Sequence, residues 1–441
     1  SSFGSSVSFG SSIQYRGGFT PSQSAAEYGY LRGAAVTVST GPFEWSGFLS
    51  ITRKDASIVL ADTGDNTSIW FNTFSESGYH RTKTELSKKN QIREQVYGGH
   101  ASYRGEFFII GLTGFYGRWD GKLQQSKDVY RKFMLEGSKF GGIGIDARFR
   151  IGFAQLFGEF SMSLNGGRAW LAGATAAPVS GVDLLIICRS YQPQFQNPFS
   201  TAISQNSISA NEQGIYFRIQ TQLIPKTTLS GYVDLFRFPW LQYRVDSPSH
   251  GTEAGVFAHY QSSPYWSLSL RYSFKSDALS TSLPGEKIAV DEENRKNELK
   301  AECSTSPMPA LSLKSSFILK SAKTAEGQSQ KGYLASIEIG FQRRRLIKAI
   351  RMKYTLFDVP SYNARIYTYD PDLLYSFSAP AYYGRGIRFL VMIQAGLARK
   401  VDLWGYLGIL NYFDRSTIGS GLDEIDGSLK SEVKLQLRVR L

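Results

Sequence analysis

Cysteine and histidine are scarce in this chain of 441 residues, which has two of the first and four of the second. Two cysteines, Cys188 and Cys303, make no disulfide framework, no Cys-x-x-Cys spacing occurs, and the sequence alone leaves a bridge between them open. His80, His100, His250 and His259 show neither His-x-His nor His-Glu-x-x-His spacing. Ordinary loop or interior hydrogen bonding is the expectation for them, rather than metal binding or catalysis. Gly-x-Ser-x-Gly, Walker and zinc patterns are also missing, so the sequence indicates neither an enzyme nor a cofactor. No run reaches the ~18 apolar residues a helix needs to cross a bilayer. The longest, near Leu184–Cys188, is far shorter. Length alone would predict two or three domains, but no break in composition marks a boundary and one domain over 1–441 is expected.

What the chain does have is a period of two. Trp266, Leu268, Leu270, Tyr272 and Phe274 alternate with Ser267, Ser269, Arg271, Ser273 and Lys275. Successive side chains of a strand point to opposite sides, so such a segment has one apolar and one polar face. Leu229, Gly231, Val233 and Leu235 oppose Ser230, Tyr232 and Asp234; Leu311, Leu313, Phe317 and Leu319 oppose Ser312, Lys314 and Ser316. The C-terminal segment is the clearest, with Val433, Leu435, Leu437, Val439 and Leu441 alternating with Lys434, Gln436, Arg438 and Arg440.

The alternation predicts hairpins at 30–39/43–54, 93–104/106–119, 140–149/153–163, 168–177/182–191 and 214–223/228–237. Further pairs follow at 251–261/266–276, 296–305/310–321, 332–343/347–358 (turning at Arg344-Arg345) and 385–397/401–412, with 429–441 last and 5–13 first. Between hairpins lie polar connections: 55–92, 120–138, 192–212, 238–250, 277–295, 322–331, 359–384 and 413–428. The link at 164–167 is short where a long one is expected. Regular exchange of short and long connections is the parity of an up-and-down barrel, and Greek-key sandwiches have no reason to keep it. The expectation is an all-β, transmembrane, antiparallel up-and-down β-barrel of about 20 strands with short periplasmic turns and long extracellular loops. Lipid is the simplest cover for so many apolar faces, and closure leaves no open edge in the bilayer. A mean hydropathy of −0.23 agrees with this, because every second residue faces a polar interior.

The formal charge of +13 is spread over many strands. It predicts interior and loop Lys/Arg, with Arg271, Lys314, Lys434, Arg438 and Arg440 facing the lumen, or else a polyanionic partner such as nucleic acid or headgroup phosphates. Asp146 and Asp234 fall on polar faces, where a wet lumen would use them to tune selectivity. The acidic stretch Asp291-Glu292-Glu293 lacks calcium-loop spacing and is expected to be solvated loop charge. One connection is unusually aromatic: Phe236, Arg237, Phe238, Trp240, Tyr243 and Arg244 suit either an interfacial girdle with a loop folded back on the lumen, or a docking surface or constriction.

Three blocks resemble a family: Glu27-Tyr28-Gly29-Tyr30-Leu31-Arg32-Gly33-Ala34-Ala35, then Ser77-Gly78-Tyr79-His80-Arg81-Thr82 with Glu85-Leu86 and Val96-Tyr97-Gly98-Gly99, then Phe236–Trp240 continuing to Tyr243-Arg244-Val245-Asp246. In type and order they look like the barrel region of Bacteroidota outer-membrane proteins of the helix-hairpin-helix, or competence-type, group. The resemblance implies a barrel preceded by helix-hairpin-helix repeats, which this sequence does not contain, and it carries over no functional residue. Nucleic acid would enter only through that missing domain. The sequence is expected to be a piece of a longer chain, its secretory leader removed or outside it. The expected role is a non-enzymatic subunit or scaffold of an outer-membrane assembly, secretion or export complex in a Gram-negative bacterium. Its partners would be membrane lipid including lipopolysaccharide and other outer-membrane proteins or surface lipoproteins. A porin-like or DNA-uptake channel with a basic lumen is the alternative.

Overall fold

Val, Ile, Phe, Tyr and Trp at every second position give strands almost throughout. The computed structural model describes residue 19 and residues 29–60, 69–78, 80–281, 290–323, 329–342, 346–419 and 421–440. In chain order the strands begin with β1 (Gly33–Thr40), β2 (Phe43–Lys54), β3 (Ala56–Leu60), β4 (Ile69–Phe74), β5 (Ile92–Arg104), β6 (Phe108–Leu123) and β7 (Gly137–Ile151). They continue with β8 (Ala154–Ser163), β9 (Arg168–Val179), β10 (Val182–Tyr191), β11 (Glu212–Thr221), β12 (Thr227–Phe238) and β13 (Ser249–Ser263). Next come β14 (Trp266–Thr281), β15 (Val290–Met308), β16 (Leu311–Lys323), β17 (Ser329–Gln342) and β18 (Ile347–Val359). The last are β19 (Ile366–Tyr367), β20 (Ala381–Tyr382), β21 (Gly384–Ala398), β22 (Val401–Tyr412), β23 (Thr417–Ile418), β24 (Ile425–Asp426) and β25 (Leu429–Val439). Among the described residues one short α-helix, α1 (Lys83–Ser87), interrupts them.

Among the described residues twenty-one strands belong to one sheet, and setting aside the β3–β4 hairpin leaves nineteen. From β1 to β10 the long strands pair with their chain neighbours, always antiparallel. The same holds for β15 to β18 and on through β21, β22 and β25. A two-residue contact of β4 with β6 is parallel. This is the up-and-down strand order of the outer-membrane β-barrel class. The tight turns are built as expected: Gly41 and Gly181 sit at φ +57° and +81°, a left-handed region that a Cβ would strain.

The chain divides into two compact units, residues 1–219, 234–251 and 282–291 in the first and 220–233, 252–281 and 292–441 in the second. In each unit the pattern of a soluble protein is inverted. Leu49 and Ile51 of the first unit lie bare while Ser50 between them and Thr52 and Lys54 beyond them are covered. In the second unit Val433 and Leu435 are 70% and 75% exposed, whereas Lys353 is 3% exposed. A face of bare aliphatic residues this extensive needs lipid against it. The polar face is covered by the unit's own loops, and small apolar cores form where loop meets strand. One contains Ala56, Phe71, Ile92, Val96, Trp119, Leu123 and Phe140; another contains Ile318, Leu334, Phe357, Ala364, Ile366 and Tyr382.

Some expected connections carry structure. Residues 55–92 hold β3, β4 and α1, because Phe71 and Phe74 pack their rings on Trp119 at 5.7 and 5.4 Å. Much of 277–295 is strand: β14 runs to Thr281 and β15 starts at Val290, so Glu292 and Glu293 are strand residues rather than loop charge. Glu293 bonds the Ser276 hydroxyl across the pair (2.6 Å) and ion-pairs with Arg295 (2.6 Å). A strand polar on both faces has no period-two signal to announce it. The expected strand 5–13, the turn at Arg344-Arg345, Tyr79 and Leu441 lie outside the described residues.

Candidate functional site

The long connections of the first unit interlock over its covered face. Where the 164–167 link is short, the loop 192–211 crosses instead. Asn165 donates its Nδ2 to the Gln194 carbonyl (2.7 Å), and Gln196 Nε2 reaches the Phe133 and Met134 carbonyls of loop 124–136 (2.9 and 3.2 Å). The aromatic connection joins this layer and splits into three parts. Phe236 and Phe238 are buried on the covered face with ring centroids 5.4 Å apart. Arg237 points to the bare face, where its Nε donates to Gln213 Oε1 (2.7 Å). Trp240 packs against Phe133 (5.0 Å), and its main chain exchanges bonds with the side chain of Asn211. Tyr243 is 72% exposed, edge-on to Tyr130 at 5.9 Å, and Arg244 beside it is exposed with φ +63°.

Beneath this layer lies a charge cluster on strands only. Arg189 of β10 sends Nε to Glu212 of β11 (2.7 Å) and a two-pronged bond to Asp234 of β12 (2.8 and 2.9 Å). The second Glu212 oxygen accepts from the Ser204 hydroxyl (2.6 Å) and the Gln205 and Asn206 main-chain N–H groups (2.8 and 3.2 Å). Gln205 Nε2 also reaches Asp234 (2.8 Å). All three charges are buried. Paired, forked geometry with every carboxylate oxygen bonded is what makes such burial tolerable. Asp234 is therefore a structural partner of Arg189 and no wet-lumen selectivity group, which corrects the expectation for it. The neighbouring cation that claims it was not visible from the local sequence.

The second unit has a cluster of the opposite sign. Loop 360–383 lies on its covered face and carries Asp370, which is completely buried. One oxygen accepts from Lys353 Nζ (2.9 Å); the other accepts from the Tyr382 hydroxyl (2.8 Å) and ion-pairs with Arg388 Nε (3.2 Å). Lys353 also donates to the Tyr369 carbonyl and to Thr368 Oγ1 (3.4 Å). The loop is tied further out by Lys320 donating to the Arg365 carbonyl (2.9 Å) and by Gln436 donating to the Leu374 carbonyl (3.1 Å).

The five basic residues predicted to face the lumen lie on the covered face, in partnership with acids or rings. Lys434 pairs with Asp372 (2.9 Å) over the Tyr406 ring, and Lys314 pairs with Glu302 (2.9 Å). Arg438 and Arg440 converge on Asp402 (2.8 and 3.3 Å), which Lys348 also contacts. Arg271 lies over Phe257, its cross-strand neighbour, at 5.7 Å. Three of the four histidines make loop or interior hydrogen bonds: His80 with Asp55 (2.6 Å), His100 with Thr113 (2.8 Å) and His259 with Ser269 (2.9 Å). Both cysteines are free.

Sequence reasoning missed Arg189, Glu212, Lys353, Asp370 and Arg388. The available signal was a charge on the covered parity of an otherwise apolar strand, as Arg189 is after Leu185 and Ile187. Charges of opposite sign at the matching height of the next strands would then name its partners.

No family model matches the chain, and no curated protein matches it. Among solved structures it is similar to a mutant form of the ferric enterobactin receptor of Pseudomonas aeruginosa, with 10% identity over 93% of this chain and 69% of that one, at a TM-score of 0.47. It is also similar to the FrpB iron transporter of Neisseria meningitidis (10% identity, 92% and 71% covered, TM-score 0.43). A third is OccAB3 of Acinetobacter baumannii (8% identity, 90% and 98% covered, TM-score 0.36).

Proposed function

We propose that this protein resides in the outer membrane of a Gram-negative bacterium and serves as a non-enzymatic subunit or scaffold of an assembly, secretion or export complex. The observation that carries this reading is the buried Asp370, which commits loop 360–383 to the covered face through Lys353, Arg388 and Tyr382. A loop anchored by a fully buried charge does not swing aside for a passing solute, since breaking such a cluster leaves uncompensated charge in the interior. Ordered loops also present exposed aromatics, Tyr243 in the first unit and Tyr375 and Phe377 in the second, as interfaces use them. Other outer-membrane proteins or surface lipoproteins are the partners that would take them.

The test is gentle detergent extraction of the tagged native protein, followed by mass spectrometry of what co-purifies and by conductance in planar bilayers. Stoichiometric recovery with other outer-membrane proteins, and no steady conductance, is the expected result. Recovery alone, with steady open-channel currents, would replace the scaffold with the porin-like or DNA-uptake channel.

A further inference from the structure

We infer that the bare face of the first unit carries a binding site for the phosphate groups of lipopolysaccharide. This rests on the membrane placement proposed above. Two cross-strand pairs on that face set like charges directly opposite one another: Arg53 with Arg93 on β2 and β5, and Arg118 with Lys139 on β6 and β7. All four are exposed and share parity with the bare apolar residues Leu49, Ile51, Tyr97 and Ile143. Opposed like charges destabilise a sheet unless an anion sits between them. Among the described residues, none of Arg53, Arg93 or Lys139 has a side-chain ion pair, and Arg118 donates to the neutral Gln95 (2.6 Å). On the same face Asp120 accepts the Arg93 main-chain N–H (2.9 Å).

A cleft of about 610 Å³ opens at the first of these pairs, lined by Arg32, Arg53, Lys89 and Arg93 together with Tyr30 and Asp55. Asp55, which accepts from the Asn90 main-chain N–H (2.8 Å) and meets His80 at 2.6 Å, is the one carboxylate among the described lining residues, so the cations outnumber it and the cleft has a strong positive balance. Ile51 also lines it, giving the same cleft an apolar floor continuous with the bare face.

Its height on the face fits a headgroup. At the other end of the same strands a row of outward rings links Phe43 to Tyr103 (5.0 Å), Tyr103 to Phe108 (5.7 Å) and Phe108 to Phe149 (6.2 Å). Phe43 is paired with Tyr103, and Arg53 with Arg93, ten residues further along both strands. Ten residues span ~33 Å along a strand, or ~25 Å of bilayer at the usual ~40° tilt, which is the height of an outer-membrane apolar band. The ring row then marks one interface, and the arginines stand at the other. That second interface is on the long-loop side, where the anionic lipid of the outer leaflet lies.

The test uses the full chain in detergent micelles and native mass spectrometry with three probes: bisphosphorylated lipid A, lipid A stripped of its phosphates, and a short DNA duplex. The variants are Arg53→Gln with Arg93→Gln, and separately Arg118→Gln with Lys139→Gln; heat-modifiable gel migration reports folding, which relieving like-charge pairs should leave intact. Lipid A should bind the first double variant about 10-fold more weakly or worse and the second less weakly, while stripped lipid shows no preference between wild type and variants. Equal lipid A binding by wild type and both variants overturns the proposal, as does wild-type binding of stripped lipid as tight as that of lipid A. DNA bound through the same arginines, with lipid A not bound, also overturns it and makes the surface a nucleic-acid face. If membrane fractionation places the protein elsewhere, the reading above fails; if the protein is in the outer membrane and the variants bind unchanged, this inference alone fails.

Discussion

The two buried charge clusters solve the same problem with opposite parts. In the first unit one cation, Arg189, lies between two acids, and all three groups stand on strands. The covering loop contributes Ser204, Gln205 and Asn206, neutral groups that fill the remaining acceptor site. In the second unit one acid lies between two cations, and the acid itself belongs to the loop. The three charges of the first cluster are paired without its loop, whereas the second cluster exists only when loop 360–383 is in place. Loop docking in the second unit is therefore part of folding, and in the first it is an addition to a sheet already neutralised.

The largest effect should come from Asp370→Asn. It strands Lys353 and Arg388 in the interior, and breaking a buried pair by removing one partner costs about 3–5 kcal/mol. Urea unfolding in detergent, followed by tryptophan fluorescence, would measure it. Adding Lys353→Met and Arg388→Met should recover most of the loss, because an apolar replacement for a buried ion cluster is often neutral. If the single substitution costs under about 1 kcal/mol, the loop is not held by charge. Arg189→Met should come next, toward the lower end of the same range. It leaves two carboxylates, which can take up a proton, whereas a guanidinium cannot shed one.

Smaller changes sharpen the contrast. Tyr382→Phe removes one hydrogen bond to the buried Asp370 carboxylate, a change of about 1.5–3 kcal/mol. Excising residues 198–208 should cost less than Asp370→Asn, since Arg189, Glu212 and Asp234 remain paired and water can replace the donors that the loop takes away. Excising 366–378 should instead match the Asp370 substitution. Equal losses from the two excisions would erase the distinction between the units.

Which parts were readable follows from what set them. Period two fixes strands locally, so 43–54, 182–191 and 401–412 were placed at their observed ends. The long connections were recognised as long, but not as folded. Asp370 sits in Tyr369-Asp370-Pro371-Asp372, which reads as an ordinary turn, and only the partners on β18 and β21 give it meaning. In the same way the aromatic run 236–244 could not reveal that Phe236 and Phe238 turn inward while Tyr243 stays outside. Alternation reports which face a residue takes, and loop docking depends on charges brought together from distant strands.

A third loop marks the weak end of the comparison, because it is organised with no buried charge. At the start of α1 the Thr82 hydroxyl accepts the Glu85 main-chain N–H (3.2 Å), and the Glu85 carboxylate accepts the Thr82 N–H (3.2 Å) and the Arg81 N–H (2.6 Å). Bonds from the Arg81 side chain and main chain hold the Glu85 carboxyl down, from 4.5 to about 2. A depressed carboxyl stabilises the folded loop above its ordinary value and loses that contribution as the pH falls from 4.5 through about 2. Amide exchange over residues 82–88, corrected for intrinsic rates, should show the turn intact at pH 4 and open below pH 2. Glu85→Gln, which keeps an acceptor suited to the capping box, should remove the pH dependence. Wild-type opening already at pH 4 would mean that Arg81 does not hold the carboxylate. The buried clusters, enclosed by sheet and loop, should keep their own amides protected through the same range, so one titration compares a loop held at the surface with loops held by interior charge.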